Sequence, residues 1–210
     1  MIHVILCDDH AVVRRGIRDT LRDTVDITVT AEVGGYAELR EALRADTPCD
    51  VLLLDLSMPG RGGLEVLASV RETHPDIRAL IVSMYPEDQY AIRCLRAGAH
   101  GYVNKAGDPE DLVRAVRMVM QGRKYLTPEV AQMLAESVAR PELDLPHTAL
   151  SEREMQTLLK IASGRRLSDI AEELMLSPKT VSVYRARVLE KLGLGNNAEL
   201  TVYALKNGLV

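Results

Sequence analysis

Five short apolar runs alternate with helical segments along the first 125 residues, and this alternation constrains the fold more than any other feature of the chain. The runs are rich in branched residues and span Val4–Cys7, Ile27–Val33, Val51–Leu54, Ala79–Val82 and Gly101–Val103. A segment with helical spacing of apolar residues follows each run. The pattern predicts an α/β fold, a parallel doubly wound sheet of five strands covered by helices on both faces. The third run is apolar throughout, as a strand buried on both faces should be.

The alternation ends at residue 125, and no strand pattern returns after it. We therefore expect a first domain at residues 1–125 and a second at 148–210, joined by a linker at 126–147. The linker contains a helical segment at 126–138 and then two prolines, Pro141 and Pro146. Four short helices are predicted in the second domain, in which Ser151 and Glu154 form a capping box and Ser177 precedes Pro178 at a helix start.

Charge divides between the two domains. The whole chain has a net charge of −4, but residues 148–210 contain nine basic and seven acidic residues. An acidic first part and a basic second part suit different partners. No apolar stretch is long enough to cross a membrane and no signal-peptide pattern opens the chain, so we expect a cytoplasmic protein without a membrane partner. Three widely spaced cysteines without a CxxC motif indicate neither a disulfide framework nor a zinc site.

Acidic residues follow two of the predicted strands. Asp8 and Asp9 come directly after the first run and Asp55 after the third, while Ser83 and Lys105 follow the fourth and fifth. In a sheet of strand order 2-1-3-4-5 the first and third strands are neighbours, and ligands bind at their carboxyl ends. We therefore expect three carboxylates to lie close together, with a hydroxyl and an ammonium group at the rim.

This group of residues suggests a metal-assisted phosphoryl site. The expected ligands are oxygen atoms, without a nearby His or Cys, and such a set suits Mg²⁺. A carboxylate can attack phosphorus and hold the phosphoryl group covalently. The metal and Lys105 would offset the charge of that group, and Ser83 would donate a hydrogen bond to it. The alternative is that these acids are ordinary loop residues at strand ends.

Four segments of the first domain, ILCDDH, LLLDLSMPGRGG, LIVSM and AGAHGYVNKA, resemble the receiver domain of response regulators, which has a flavodoxin-like fold. The resemblance covers residues 1–125 and implies that Asp55 is the phosphoacceptor. It further implies that Mg²⁺ is held by Asp8, Asp9, Asp55 and the backbone carbonyl of Ser57. Ser83 and Tyr102 match the switch pair of that family, in which the hydroxyl moves to the phosphate and the ring turns inward.

The second domain has the proportions of a helix-turn-helix, with a short helix, a turn at Leu176–Ser177 and a longer helix at Pro178–Leu192. One face of the longer helix is polar or small enough to enter a major groove. Further basic side chains on this helix are expected to contact DNA phosphates. A small helical bundle with solvated basic residues is the alternative. The candidate DNA contacts are Lys179, Thr180, Ser182, Val183, Arg185, Ala186, Arg187 and Lys191.

Residues 148–210 are similar to the DNA-binding domain of the LuxR/NarL (NarL/FixJ) family, through LSEREMQTLLKIASG and LSDIAEELMLSPKTVSVYRARVLEKLGL. The chain departs from that pattern at Ser182 and Tyr184, where the family often has Lys and His. The last helix of that family forms a dimer contact, with ordinary packing as the alternative for its side chains. The candidate dimer residues are Leu200, Val202, Tyr203 and Ala204.

Together these resemblances imply a two-component transcription regulator rather than an enzyme. A sensor histidine kinase would phosphorylate Asp55, and the protein would bind double-stranded promoter DNA as a homodimer. One alternative is a DNA-binding regulator whose receiver is structural and independent of phosphorylation. A second alternative, a phosphatase or phosphotransferase of the haloacid-dehalogenase type, requires a second aspartate where this chain has Ser57.

Overall fold

The computed structural model describes residues 1–58, 61–139 and 145–210. Pro59 and Gly60 of the segment LLLDLSMPGRGG, and residues 140–144 of the predicted linker with Pro141, lie outside the described residues. The chain divides into two compact units, Met1–Ala139 and Arg140–Val210, and each unit is described by itself below. No helix in the described ranges is long and apolar enough to cross a membrane.

The first unit is built on a five-stranded sheet of order β2-β1-β3-β4-β5. All neighbouring strands are parallel. This confirms the predicted α/β fold and its strand order. The strands are β1 (Ile2–Cys7), β2 (Ile27–Val33), β3 (Val51–Leu54), β4 (Arg78–Ser83) and β5 (Gly101–Asn104), and the helices between and after them are α1 (Ala11–Arg22), α2 (Tyr36–Arg44), α3 (Gly63–Thr73), α4 (Glu87–Arg96) and α5 (Pro109–Met120).

The core of the first unit lies on both faces of this sheet. All four residues of β3 are buried, which explains why its sequence does not alternate between apolar and polar residues. Branched aliphatic side chains dominate this core because the chain contains neither Phe nor Trp. Covering both faces leaves the carboxyl ends of the strands as the place where polar side chains gather.

Backbone hydrogen bonds extend beyond the strand ends and fix the residues that follow them. The amide of Asp8 donates to the carbonyl of Val33 at 3.0 Å, and the amide of Asp55 donates to the carbonyl of Cys7 at 2.9 Å. Gly63 then lets α3 begin close to this loop, because a Cβ there would lie 2.7 Å from the Cα of Leu56. Backbone hydrogen bonds therefore fix the positions of Asp8 and Asp55, independently of their side chains.

The helical part of the predicted linker is α6 (Pro128–Ala139), which packs against α4 within the first unit. Just before it, the Thr127 hydroxyl donates a hydrogen bond of 2.6 Å to Glu87 Oε2, at the start of α4. Pro146, the second proline of the predicted linker, begins a short 3₁₀ helix at Pro146–Ala149 in the second unit.

The second unit is helical, as predicted. The predicted capping box is present at the start of α7, where Ser151 Oγ accepts from the Glu154 amide and the Glu154 side chain accepts from the Ser151 amide. Contacts of α7 with α9 and α10, and of α8 with α9, form its core. Its helices are α7 (Glu152–Ala162), α8 (Leu167–Glu173), α9 (Pro178–Leu192) and α10 (Asn197–Lys206).

Candidate phosphoacceptor and DNA-binding sites

The three predicted aspartates meet at the carboxyl end of the sheet in the first unit. Asp8 and Asp55 are each only 2% exposed, and the Asp9 side chain is 10% exposed. The ammonium group of Lys105, itself buried, lies 2.7 Å from Asp8 Oδ2 and 2.9 Å from Asp55 Oδ2. Residues from three distant places in the sequence therefore form one ionic cluster.

The cluster carries more negative than positive charge. Burial raises the pKa of Asp55, and the nearby Asp8 carboxylate raises it further, whereas the Lys105 ammonium opposes both effects. Three carboxylates and one ammonium leave a formal charge of about −2 when all are ionised. A buried excess of this kind is costly unless a cation offsets it.

The carboxylates fit a divalent metal ion. One oxygen of each aspartate (Asp8 Oδ2, Asp9 Oδ1 and Asp55 Oδ2) is fully buried and makes no hydrogen bond of good geometry with the described residues. The Lys105 ammonium lies beside the first and third of these oxygens and partly offsets their charge. Oxygen ligands, an excess of two negative charges and the buried Asp9 Oδ1, which accepts no hydrogen bond of good geometry, together match the requirements of Mg²⁺.

Ser57 lies at the edge of this cluster. A backbone hydrogen bond from Ser57 lowers the pKa of Asp55 and so favours its charged form. The Ser57 hydroxyl is buried and makes no hydrogen bond with the described residues. The role of its carbonyl as a metal ligand stays a prediction.

The predicted switch pair lies at the ends of β4 and β5. Ser83 is fully buried and the Tyr102 ring is 2% exposed, so the ring points into the unit. The Tyr102 hydroxyl donates to the Tyr85 carbonyl at 2.8 Å, and the Tyr85 amide donates to Ser83 Oγ at 3.3 Å. Burial raises the pKa of Tyr102 far above its ordinary value, so its hydroxyl remains a donor. Tyr85, which sequence reasoning missed, thus joins the two switch residues.

His10 is a second residue that sequence reasoning missed. Its Nδ1 lies 2.8 Å from Asp9 Oδ1, 3.4 Å from Asp8 Oδ1 and 3.9 Å from Asp55 Oδ2. The expectation of a metal pocket without a nearby His is therefore wrong. The adjacency of His10 to the Asp-Asp pair was the available signal in the sequence.

In the second unit, α8 and α9 form the predicted helix-turn-helix. Ser177 caps α9 by accepting a hydrogen bond from the Thr180 amide at 3.1 Å, and Pro178 occupies the first turn. Val181 and Val188 face the core. The outer face of α9 exposes five of the predicted DNA contacts, which are Lys179, Ser182, Val183, Ala186 and Arg187.

The other three predicted DNA contacts differ in their surroundings. Thr180 is half-buried. Arg185 is also half-buried and donates from Nε to Asn197 Oδ1. The ammonium group of Lys191 lies 2.7 Å from Glu154 Oε2. The two cations thus have partners within the unit, and their contact with DNA phosphates stays a prediction.

The predicted dimer residues on α10 divide into two groups. Leu200 and Ala204 have no exposed surface, because this face of α10 packs along α7. Their assignment to a dimer contact is therefore wrong, and ordinary packing describes them. Tyr203 is half-buried, with its hydroxyl 2.9 Å from His147 Nδ1. Val202 is 49% exposed and remains available to a partner.

Comparison with known protein families matches both units. Residues 4–117 match the family described as response regulator receiver domain, and residues 148–204 match bacterial regulatory proteins of the luxR family. Response regulator UvrY of Escherichia coli K12 is 39% identical over 210 residues, covering 100% of this chain and 96% of that protein. Response regulator GacA of Pseudomonas protegens is 40% identical over 210 residues, covering 100% of this chain and 98% of that protein.

Solved structures give the same assignment. RcsB from Salmonella enterica serovar Typhimurium, bound to promoter rprA in the presence of the phosphomimetic BeF3-, has 27% sequence identity and a TM-score of 0.63. The match covers 96% of this chain and 97% of that one. The family matched by residues 148–204 is one of bacterial regulatory proteins. The chain therefore belongs to the two-component response regulators that join a receiver domain to a LuxR-type helix-turn-helix DNA-binding domain.

Proposed function

We propose that a sensor histidine kinase phosphorylates this protein on Asp55 and that the phosphorylated form binds promoter DNA as a homodimer. The observation that carries the proposal is the contact of the Lys105 ammonium with both Asp8 and Asp55, at 2.7 and 2.9 Å. A buried acid beside a fixed cation and two further carboxylates suits phosphoryl transfer better than it suits a purely structural role. The proposed domains are a receiver at residues 1–125, a linker at 126–147 and a DNA-binding domain at 148–210, all acting in the cytoplasm, where promoter DNA is found.

Each residue of the pocket has a part in the transfer. An oxygen of Asp55 attacks the phosphorus atom as the bond from phosphorus to the kinase histidine breaks. Lys105 offsets the charge that the phosphoryl oxygens carry. Asp8, Asp9, Asp55 and the Ser57 carbonyl would hold Mg²⁺, which supplies further charge stabilisation when bound. The product is an acyl phosphate on Asp55.

The new charge changes the rim of the pocket. A phosphoryl group adds a charge of roughly −2 with strong acceptor oxygens. The Ser83 hydroxyl then moves to donate to a phosphoryl oxygen, and this movement takes its oxygen away from the Tyr85 amide. Because Tyr102 donates to the carbonyl of the same Tyr85 residue, movement of this loop is coupled to the position of the buried ring. The switch is thereby transmitted to the surface of β5 and α4.

The second unit supplies the DNA contacts. The N-terminal half of α9 enters the major groove, where Lys179, Ser182 and Val183 lie near base edges. Arg185, Arg187 and Lys191 contact phosphates, and Lys191 exchanges its ion pair with Glu154 for such a contact. The binding of promoter DNA by RcsB in the presence of a phosphomimetic supports this assignment.

The test measures DNA binding and oligomeric state of the purified full chain with and without acetyl phosphate and Mg²⁺. We expect the phosphodonor to increase both in the wild type and to change neither in Asp55→Asn. Asp76→Asn, which changes an exposed carboxylate, is the matched control and should respond like the wild type. Equal DNA affinity and equal dimerisation for all three proteins under all conditions would instead support the regulator that is independent of phosphorylation.

A further inference from the structure

The imidazole of His10 lies among the carboxylates of the metal pocket. Its Nδ1 is 2.8 Å from an oxygen of Asp9, 3.4 Å from one of Asp8 and 3.9 Å from one of Asp55. Ligand atoms at about 2.1 Å from an octahedral ion are about 3.0 Å apart when adjacent and about 4.2 Å apart when opposite. The three measured distances fall close to this range. The distances from His10 Nδ1 to the three carboxylate oxygens are therefore those expected between ligands of one ion.

The backbone holds His10 in this place. The His10 amide donates to Asp8 Oδ1 at 2.8 Å, and its carbonyl accepts from the Arg14 amide at 3.0 Å as α1 begins. His10 is thus the N-cap residue of α1, and both its amide and its carbonyl are hydrogen-bonded. Its side chain is 56% exposed, so the imidazole lies on the solvent side of the pocket.

A second observation indicates a ligand between these groups. Asp9 Oδ1 is buried and makes no hydrogen bond of good geometry, although His10 Nδ1 lies beside it. The ligand atoms of Asp8, Asp9, His10 and Asp55 all lie within 4.8 Å of one another. A cation at their centre would satisfy the orphaned oxygen and the imidazole together.

We propose that His10 is a nitrogen ligand of this pocket and that it shifts the metal preference from Mg²⁺ toward Mn²⁺ and Zn²⁺. Carboxylates alone favour hard ions, whereas imidazole suits borderline transition metals, whose affinities for nitrogen ligands exceed that of Mg²⁺. The inference rests on the proposed function, since it takes the phosphoacceptor pocket as the metal site. It adds that the pocket holds a mixed set of one nitrogen and several oxygen ligands.

The test is a metal titration of the full chain by isothermal titration calorimetry, after removal of metal with a chelator. Mg²⁺, Mn²⁺ and Zn²⁺ are titrated into the wild type and into His10→Ala. We expect His10→Ala to weaken the binding of Mn²⁺ and Zn²⁺ by about tenfold or more and to change that of Mg²⁺ by about twofold or less. Pulsed EPR of bound Mn²⁺ should show a nitrogen coupling that His10→Ala removes.

Two control variants complete the design. His74→Ala, which removes a histidine at the end of α3, should keep the wild-type affinities. Asp9→Asn should weaken all three ions. Unchanged Mn²⁺ and Zn²⁺ affinities in His10→Ala, or a wild-type EPR spectrum without nitrogen coupling, would overturn the inference and leave His10 as an ion-pair partner of Asp9. Phosphoryl labelling by acetyl phosphate with Mg²⁺ tests the proposed function separately, because it measures phosphorylation of Asp55 and not the metal preference of the pocket.

Discussion

Replacement of Lys105 by methionine removes the cation that contacts two buried carboxylates while keeping most of the side-chain volume. At an effective dielectric constant of about 20, each contact contributes roughly 6 kcal/mol of attraction over its 2.7 or 2.9 Å. Desolvation of the buried ammonium offsets much of this sum. Removal of one partner from a buried ionic cluster typically costs about 3–5 kcal/mol. We expect Lys105→Met to lower the free energy of unfolding by about 3 kcal/mol when metal is absent.

Urea unfolding of the full chain in a chelating buffer measures this effect. For a slope of about 2 kcal/mol per molar urea, a loss of 3 kcal/mol lowers the midpoint of the receiver transition by about 1.5 M. Saturation with Mg²⁺ should restore about 2–3 kcal/mol, since a ligand at 100 times its Kd stabilises by roughly 2.7 kcal/mol. The double variant Lys105→Met/Asp55→Asn should be more stable than Lys105→Met, because it contains one charged carboxylate fewer.

Lys105→Arg serves as the control, because it keeps the positive charge. It should lose less stability than Lys105→Met. The reasoning is refuted if Lys105→Met unfolds within about 0.5 kcal/mol of the wild type without metal. It is also refuted if Asp55→Asn makes the Lys105→Met protein less stable.

Three further predictions concern single groups. Burial raises the pKa of Asp55, so the folded state keeps the proton of this carboxyl to higher pH than the unfolded chain does. The stability advantage of metal-free Asp55→Asn over the wild type should therefore grow as pH rises above about 4. Equal pH profiles of the two proteins in thermal unfolding would contradict this prediction. Ser177→Ala removes the cap of α9 and should lower the unfolding free energy of the second unit by about 1 kcal/mol, measured by urea unfolding, whereas Ser163→Ala at the end of α7 should cost less. Leu200→Ala should lower the unfolding free energy of the second unit by about 2–5 kcal/mol, whereas Val202→Ala should change it by no more than about 1 kcal/mol. A larger loss in Val202→Ala than in Leu200→Ala, measured by calorimetry, would indicate that Leu200 is a surface contact.

Local sequence patterns correctly predicted the helix ends that are set by neighbouring residues. The helix Pro178–Leu192 has its predicted bounds, because Ser177 starts it and Gly193, with a φ of 66°, ends it. The first strand begins at Ile2 rather than at the predicted Val4, because Ile2 and His3 pair with β2. The shorter helix of the helix-turn-helix ends at Glu173, before the predicted turn at Leu176–Ser177, and Met175 between them has a φ of 52°.

The order of strands placed the aspartates and Lys105 correctly at one edge of the sheet, since the sequence determines which residue follows each strand. The strand order does not determine which residues a side chain contacts. The approach of His10 to Asp55 depends on the pairing of β1 with β3, which brings residues 45 positions apart together. The ion pair of Lys191 with Glu154 likewise depends on the packing of α9 against α7. The contact of His10 was indicated only by its place directly after Asp8 and Asp9, and the contact of Lys191 has no local signature in the sequence.

The central claim is that Asp55 is the residue that accepts the phosphoryl group, and mass spectrometry of the intact protein tests it most directly. The wild type, Asp55→Asn and the exposed control Asp76→Asn are incubated with acetyl phosphate and Mg²⁺ and then weighed. The account predicts a mass increase of one phosphoryl group in the wild type and in Asp76→Asn, and none in Asp55→Asn. Labelling of Asp55→Asn to the wild-type extent, or no labelling of the wild type, would contradict it.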